Sequence, residues 1–204
     1  MESNNFKNPN AGCDIYGIPR LELAVYLRDN VLNQLNKHTF IENGTLLGAF
    51  RNQKFIPHDD DFDFGILLDT KEQIYKVHQI ISKLLPPKYE ARLIDTYCTK
   101  IEIYQPSFGK YTLLGPKYNG ADYHYVTIDI QVYLKMNDSY KVLYYTNPYD
   151  TIIKQDDILP LEKIKLEGEY FPCPKNIVSF LESNYGSIDP KAKYNTISCK
   201  YELP

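Results

Sequence analysis

Apolar residues recur at helical spacing in two segments of this chain and alternate with polar residues in others. The first apolar stripe predicts a helix that has Pro19 in its first turn and ends near Lys37. The second follows Thr70, a suitable N-cap residue, and stops at Pro86. The two stripes comprise Leu21, Ala24, Leu27, Val31 and Leu35, and then Ile74, Val77, Ile81 and Leu84.

The stretch between these helices predicts a short strand, a turn and a short helix. Residues 39–42 have a strand pattern and lead into Asn43-Gly44, which is a turn signal, and residues 45–51 favour a brief helix. A glycine at such a turn allows backbone N–H groups to approach a phosphate closely, and the field of the helix N-terminus is favourable there.

A phosphate site is therefore predicted at Gly44 and Thr45, with the Thr45 hydroxyl as an additional donor. Arg51 and Lys54 follow within the next residues, and they are the nearest cations that would neutralise the remaining phosphate charge.

Four aspartates occur in the sequence IPHDDDFDFG, residues 56–65. Carboxylates this close repel one another, and burying an unpaired one costs several kcal/mol, so a positive group is expected beside them. The alternation of Asp61, Phe62, Asp63 and Phe64 places both acids on one face of a strand and both rings in the core. On a strand, the two acids lie about 6.5 to 7 Å apart at the backbone.

A further acid lies on a later strand. Residues 123–134 alternate strictly, and their apolar set leaves Asp129 on the opposite face. Asp61 and Asp63 are close enough to lean onto one divalent cation, and Asp129 would complete the site from a neighbouring strand. We predict that these three carboxylates bind Mg²⁺ (or Mn²⁺), and the number of ions stays open.

The remaining elements are shorter. A hairpin turn is predicted at Asn137-Asp138, and a C-terminal helix over residues 176–184 ends at Gly186. Together the elements predict an α+β fold with a mixed β-sheet flanked by helices, additional strands and a C-terminal helix. The other extended segments are residues 90–94, 99–104, 111–114, 140–145 and 163–171.

Composition narrows the functional classes. The 204 residues suit one domain, and a net charge of -3 with a pI near 5.8 disfavours general binding to nucleic acid. The polar N-terminus does not resemble a secretory signal, and the chain contains no run of about 18 apolar residues that would span a membrane. The four cysteines form no CxxC pair, which disfavours a zinc site and favours thiols in a reducing, cytoplasmic compartment.

Acid-rich loops also have simpler explanations. A solvated turn stays an alternative for the aspartate run considered alone. A calcium-binding EF-hand loop that begins at Asp59 would require Gly at its sixth position and Glu at its twelfth, and the chain has Phe64 and Thr70 there. The EF-hand is therefore excluded.

Three motifs, taken in order, resemble the signature of the LicD family, which also includes fukutin and the fukutin-related protein and belongs to the nucleotidyltransferase-fold superfamily. They are GTLLGAFR at residues 44–51, FIP at residues 55–57, and the spacing of Asp59, Asp61 and Asp63. A closing segment, FPCPKN followed by Tyr-Gly, is also similar to that family. His58 stands where its members usually have Trp.

The resemblance implies a nucleotidyltransferase-like fold and a role for particular residues. It implies that Asp61 and Asp63 are the metal-binding pair and that Asp129 is the third metal carboxylate. Asp59 would be the family's additional acid, and Gly44 and Thr45 would form the phosphate turn. Lys100 falls where members of the family often have a basic residue.

The resemblance further implies transfer of a phospho-linked group, such as phosphocholine or an alditol or sugar phosphate, from a cytidine diphosphate (CDP) donor to a glycan hydroxyl. One alternative keeps the fold but transfers the nucleotide itself to a sugar phosphate, a small molecule or a protein. A second alternative is a catalytically silent nucleotide-binding module. Residues 105–122, rich in Tyr, Gly and Lys, are the predicted acceptor-reading region.

Three parts of the chain are expected: an N-terminal extension at residues 1–18, a single LicD-like domain at residues 19–190, and a C-terminal tail at residues 191–204.

Overall fold

The computed structural model describes residues 12–96, 98–112, 122–143, 151–195, 198 and 200–204. These residues contain five α-helices and thirteen β-strands. The helices are α1 Cys13–Asn30, α2 Asn43–Asn52, α3 Gln73–Leu84, α4 Gln155–Ile158 and α5 Ile177–Tyr185. The strands are β1 Thr39–Ile41, β2 Asp63–Leu68, β3 Glu90–Asp95, β4 Thr99–Tyr104, β5 Lys110–Thr112, β6 Asp122–His124, β7 Thr127–Met136, β8 Ser139–Val142, β9 Ile152–Lys154, β10 Glu162–Leu166, β11 Glu169–Cys173, β12 Lys193–Asn195 and β13 Lys200–Glu202.

Seven of these strands form one mixed sheet. Five follow the order β1-β2-β7-β4-β3, and β8 and β9 extend the sheet from β7. The neighbours β2 and β7 are parallel, and the other pairs are antiparallel. The strands β5 with β6, β10 with β11, and β12 with β13 form three separate two-stranded sheets. The helices flank the sheet, so the predicted α+β fold is confirmed.

Aromatic rings fill the core on one side of the acid run. Phe62 and Phe64 are almost fully buried, and their ring centroids lie 5.0 Å apart. Phe171 of β11 packs against Phe62 at 5.3 Å. The alternation thus predicted correctly that both rings enter the core, although β2 begins only at Asp63 and Asp61 lies just before it.

The first helix differs from its prediction at both ends. α1 begins at Cys13 rather than near Pro19, which lies inside the helix, and it ends at Asn30, followed by a 3-10 turn at Leu32–Gln34. Tertiary contact accounts for the earlier start, because the Cys13 N–H donates to the Pro57 carbonyl at 3.0 Å. Local periodicity carries no information about this contact.

Two further local predictions are wrong in detail. α3 begins after Glu72 without a side-chain cap, so Thr70 is not its N-cap. The alternating segment 123–134 is not one strand, because the chain bends at residues 125–126 and separates β6 from β7. At the bend the Tyr125 N–H donates to Gly109 and its carbonyl accepts from Arg20, so these groups bond outside the main sheet.

The C-terminal part of the domain follows its prediction closely. Asn176 caps α5 by accepting from the Ser179 N–H, and the helix ends at Gly186, whose φ is 80°. The short strands β12 and β13 lie inside the predicted C-terminal tail, and the predicted boundary at residue 18 falls inside α1. Among the described helices, none has the length and apolar character needed to cross a lipid bilayer.

Candidate functional site

Three carboxylates from two strands meet at one edge of the sheet. β2 and β7 are parallel neighbours, and their register places Asp63 directly beside Asp129. The Asp129 N–H donates to the Phe62 carbonyl at 2.8 Å, which extends the pairing toward Asp61. One oxygen from each of Asp61, Asp63 and Asp129 lies within 4.8 Å of the others. The sequence-predicted metal ligands are therefore brought together, and we refer to them as the acid cluster.

Charged residues continue from the acid cluster in a row across the sheet. Glu102 of β4 is the register partner of Asp129, and Arg92 of β3 is the partner of Glu102. At the other end, the Glu42 N–H donates to the Asp63 carbonyl at 3.2 Å. Because register partners share one face of a sheet, these side chains form a row on that face, and acidic side chains outnumber basic ones in the row.

Burial shifts the acids of the cluster toward their protonated forms. Desolvation raises the pKa of Asp129 from 3.8 to about 7, although the nearby Lys100 opposes the shift. Desolvation raises the pKa of Asp63 well above its usual range as well, and the charges of Asp61 and Asp129 add to the effect. A divalent cation would reverse this preference, because it stabilises the ionised carboxylates.

Lys100, the basic position that the resemblance assigned, contacts the acid cluster. Its Nζ donates to Asp129 Oδ2, and both side chains are buried. Lys100 therefore supports a member of the acid cluster. The other Asp129 oxygen, Oδ1, is buried and has no hydrogen-bond partner among the described residues.

Glu42 is a buried acid whose importance sequence reasoning missed. It is fully buried directly before α2, and the Tyr133 hydroxyl donates to its Oε2. Burial raises its pKa well above the usual range, and the charges of Asp129 and Asp61 raise it further. The available signal was its place at the end of β1, one residue before the Asn43-Gly44 turn.

The predicted phosphate turn lies beside the acids. The Thr45 hydroxyl accepts from the Asp63 N–H at 2.9 Å, so Thr45 fixes the start of β2. Gly44 faces the Asp59 carboxylate, and a Cβ at this position would overlap that group and lie 2.9 Å from its Cγ. A side chain at this position would therefore displace the Asp59 carboxylate.

We expect Gly44→Ala to reduce function without reducing stability. The added methyl displaces the Asp59 carboxylate, and a misplacement of this size lowers kcat/KM by about 10- to 100-fold. Alanine favours the helix by up to about 1 kcal/mol, so urea unfolding should show equal or greater stability. Gly17→Ala in α1 is the control, because its Cβ meets only ordinary contacts at 3.4 Å or more. Equal activity of both variants would contradict the prediction.

A buried arginine beneath the acid run was also missed. Arg20 of α1 is fully buried, and its guanidinium donates to the Asp59 carbonyl at 3.1 Å and to the Tyr125 carbonyl at 3.0 Å. It is a positive group of the kind that the crowded carboxylates led us to expect. Its signal in the sequence was its position four residues before Ala24 on the apolar stripe.

The remaining acid of the run, Asp60, is buried and accepts from the Tyr111 hydroxyl at 2.8 Å. Carboxylate oxygens of Asp59, Asp60 and Asp61 also lie within 4.8 Å of one another. The β5–β6 hairpin, which carries Tyr111, therefore stands beside the acid cluster. Residues 113–121 of the predicted acceptor-reading region lie outside the described part of the chain.

The two cations predicted to neutralise phosphate lie in different places. Arg51 is exposed, lines a cleft of 520 Å³ together with Gly44 and Asp59, and donates to the Ile188 carbonyl at 2.8 Å. Lys54 lines a different cavity, of 420 Å³, whose lining also includes Cys13 of α1. Arg51 therefore shares a cavity with the phosphate turn, and Lys54 does not line that cleft.

Tyr185, at the end of α5, also lines the 520 Å³ cleft. Burial raises its pKa well above the usual range, and the charges of Asp63 and Asp59 raise it further. Tyr185 therefore lines the cleft within reach of the charges of the acid run. Sequence reasoning treated it only as part of the Tyr-Gly helix end.

The shifted pKa of Asp129 predicts how stability depends on pH when metal is removed. Below about pH 4 this carboxyl is protonated in the folded and unfolded chains alike. As the pH rises from about 4 to about 7, the unfolded chain has lost the proton while the folded chain still retains it, so the free energy of unfolding falls, and it levels off above about 7. The fall is at most about 1.4 kcal/mol per pH unit for one carboxyl.

Urea unfolding in EDTA at a series of pH values measures this effect. We expect the wild-type protein to lose stability from about pH 4 to about pH 7 and Asp129→Asn to show a shallower decline. Stability that rises over this interval in the wild-type protein would contradict the buried, proton-retaining site.

The mixed sheet, Gly44 in the first turn of α2, and acids at two adjacent strands define a protein of the nucleotidyltransferase fold. A comparison with protein families matches residues 36–176 to the family described as LicD/FKTN/FKRP, nucleotidyltransferase domain. This chain belongs to that family, so the resemblance seen in its sequence is confirmed. The family itself is of the phosphotransferase type and modifies glycans.

Two curated relatives come from Rickettsia. The uncharacterized protein RT0683 of Rickettsia typhi is 27% identical over 174 residues, which cover 84% of this chain and 48% of that protein. The uncharacterized protein RP689 of Rickettsia prowazekii is 38% identical over 65 residues, which cover 31% of this chain and 24% of that protein. The chain therefore spans about half the length of these relatives or less.

Proposed function

We propose that this protein is a metal-dependent transferase that moves a phospho-linked group, phosphocholine or an alditol or sugar phosphate, from a CDP-activated donor to a glycan hydroxyl. The observation that carries the proposal is the convergence of Asp61, Asp63 and Asp129 within 4.8 Å, next to the Gly turn at the start of α2. Family membership supports the same reaction class.

The acid cluster fits a bound Mg²⁺ or Mn²⁺. Its ligand atoms are all carboxylate oxygens, which these hard cations prefer, and Asp129 Oδ1 is buried and lacks a hydrogen-bond partner among the described residues. Asp61, Asp63 and Asp129 would hold the ion, while Lys100 and Thr45 keep two of these acids in place. When bound, the ion would neutralise phosphate charge that develops during transfer.

The residues around the cluster suit an in-line displacement. The acceptor oxygen forms a bond to the distal phosphorus of the donor, the bond from that phosphorus to the bridging oxygen breaks, and cytidine monophosphate leaves. The acceptor proton passes to a carboxylate, for which Asp59 is our candidate because it lies next to Asp61 without belonging to the acid cluster. Gly44 and Arg51 would contact the donor phosphates.

The acceptor is expected on the side of the β5–β6 hairpin. This hairpin meets the acid run through the Tyr111–Asp60 hydrogen bond. Tyr111 also lies 5.1 Å from the ring of Tyr125, which stacks on Tyr16 of α1 at 4.8 Å. Such rings present flat apolar faces of the kind that sugar rings pack against, which supports a glycan or another small polyol as the acceptor class.

We also propose a reducing, cytoplasmic compartment. Cys13 and Cys173 are not in disulfides. Cys199 lies outside the described residues.

Product analysis tests the proposal. The protein is incubated with a panel of CDP-linked donors, Mg²⁺ and glycan acceptors, and the released products are identified. Release of cytidine monophosphate supports transfer of the phospho-linked group, whereas release of pyrophosphate from a nucleoside triphosphate identifies a nucleotidyltransferase. Nucleotide binding that is independent of Mg²⁺, without turnover of any donor, would indicate a catalytically silent binding module and contradict the proposal.

A further inference from the structure

The chain beyond the family match contributes to the cleft at the phosphate turn. We call residues 186–204 the C-terminal segment; residues 196, 197 and 199 within it lie outside the described chain. The cleft lies between this segment and α2, and the segment contributes Ser187, Ile188, Asp189, Pro190, Ala192 and Tyr201 to its lining. The family match ends at residue 176, so these residues lie beyond it.

We propose that the C-terminal segment forms one wall of a pocket for the nucleoside part of the donor. The inference rests on the proposed function, because it assumes that the donor is a nucleotide. The proposal assigns a ligand class to a cleft whose two walls, α2 and the C-terminal segment, are far apart in the sequence.

Several contacts hold the wall in place. The Ser187 N–H donates to the Tyr201 carbonyl at 2.7 Å, and Arg51 of α2 donates to the Ile188 carbonyl at 2.8 Å. At Gly186, where φ is 80°, an added Cβ would lie 2.5 Å from the Tyr201 carbonyl oxygen. The segment is therefore built onto the domain through its backbone, as the wall of a largely preformed pocket requires.

The lining matches a nucleoside. The cleft volume of 520 Å³ falls within the range of about 300 to 1,000 Å³ that small-molecule pockets occupy. Two tyrosine rings, Tyr185 and Tyr201, stand edge to face at 6.4 Å, and an aromatic base would pack against such rings. Further apolar contacts come from Leu47, Ile56, Ile188, Pro190 and Ala192. Asp189 and Ser187 supply oxygen atoms for sugar hydroxyls.

The position of the pocket favours the donor over the acceptor. Gly44 and Asp59 line the cleft, and Asp59 lies within 4.8 Å of Asp61 through their carboxylate oxygens. A nucleoside in the cleft thus has its diphosphate directed toward the phosphate turn and the acid cluster. The described residues of the β5–β6 hairpin, which we propose for the acceptor, are absent from the lining of this cleft.

Filling the pocket tests the inference without removing any part of its wall. Ala192 is half-buried and lines the cleft, so Ala192→Phe would occupy the space for the base. Ala192→Ser, which is close in size to the wild-type alanine, is the control. Isothermal titration of the full chain measures binding of CDP and, separately, of pyrophosphate, both with Mg²⁺. We expect Ala192→Phe to weaken CDP binding at least about tenfold, Ala192→Ser to change it less than about twofold, and neither to alter pyrophosphate binding.

A second pair of variants protects the test against misfolding. Tyr201→Ala removes a ring of the pocket, and Tyr201→Phe keeps the ring. Weaker CDP binding by the alanine variant alone, with unchanged pyrophosphate binding, supports the nucleoside pocket. CDP binding equal to wild type in both Ala192→Phe and Tyr201→Ala overturns it, and so does a rise in the acceptor KM alone, which would assign the cleft to the acceptor. A wild-type protein that binds no nucleotide refutes the proposed function as well, so the two failures are distinguishable.

Discussion

Asp63→Asn should abolish turnover while the fold remains intact. The substitution keeps the shape of a buried side chain but removes one of three carboxylates in the acid cluster. Because the charge of that carboxylate is needed only when a cation and a phosphate are bound, we expect a loss of kcat of roughly a thousandfold or more. The same outcome is expected for Asp61→Asn, whose carboxylate belongs to the same cluster.

The free energy of unfolding, unlike turnover, should not decrease in these two variants. In EDTA the wild-type protein holds several acids close together: desolvation raises the pKa of Asp63, and the charges of Asp61 and Asp129 raise it further. Relief of this repulsion should leave the free energy of unfolding unchanged or raise it by about 1 kcal/mol. Stabilisation by added Mg²⁺ should disappear in both variants.

Asp138→Asn at the exposed hairpin turn is the matched control for both measurements. It removes a carboxylate from the turn after β7, at the other end of that strand from Asp129, and we expect wild-type turnover and wild-type stabilisation by Mg²⁺. If Asp61→Asn and Asp63→Asn unfold the protein while the control does not, the acids have a structural role and the catalytic assignment is wrong.

Arg20→Met should cost about 2 to 4 kcal/mol of unfolding free energy, since two carbonyl groups lose their donors inside the protein. Its guanidinium joins the acid run to the bend between β6 and β7 through the carbonyls of Asp59 and Tyr125. Methionine has a similar length and no donor, so packing changes little. Urea unfolding measures the loss, and turnover should fall too because Asp59 is no longer held.

Lys76→Met, an exposed position on α3, removes the same charge and serves as the control. We expect it to stay within about 0.5 kcal/mol of wild type. If Arg20→Met is as stable as this control, the buried arginine does not hold the acid run in place.

Local pattern predicted the part of the site that depends on one segment at a time. Alternation at Asp61 to Phe64 determines which side chains face the core, because successive residues on a strand point to opposite faces. The same argument placed Asp129 opposite the apolar side of its strand. The argument from alternation failed at Tyr125, where the strand is interrupted and the buried Arg20 of α1 donates to the backbone carbonyl.

Partners distant in sequence could not be predicted in this way. The pairing of Lys100 with Asp129 depends on the register between β4 and β7, and the apolar pattern of either strand is compatible with several registers. The contact of Glu42 with Tyr133 joins residues 91 positions apart. Arg20 lay on an apolar stripe, and only the packing of α1 under the acid run explains its burial there.

The amino-acid sequence by itself determined the family and the strand faces on which the three carboxylates lie, because motif spacing and strand alternation are local properties; the reaction class and the metal are our proposals. The tertiary structure decided which charges meet these acids, and it brought the C-terminal segment to the cleft beside Gly44. The physical reason is that strand register and the docking of helices depend on packing between segments far apart in the chain, and that packing is decided only when the core forms.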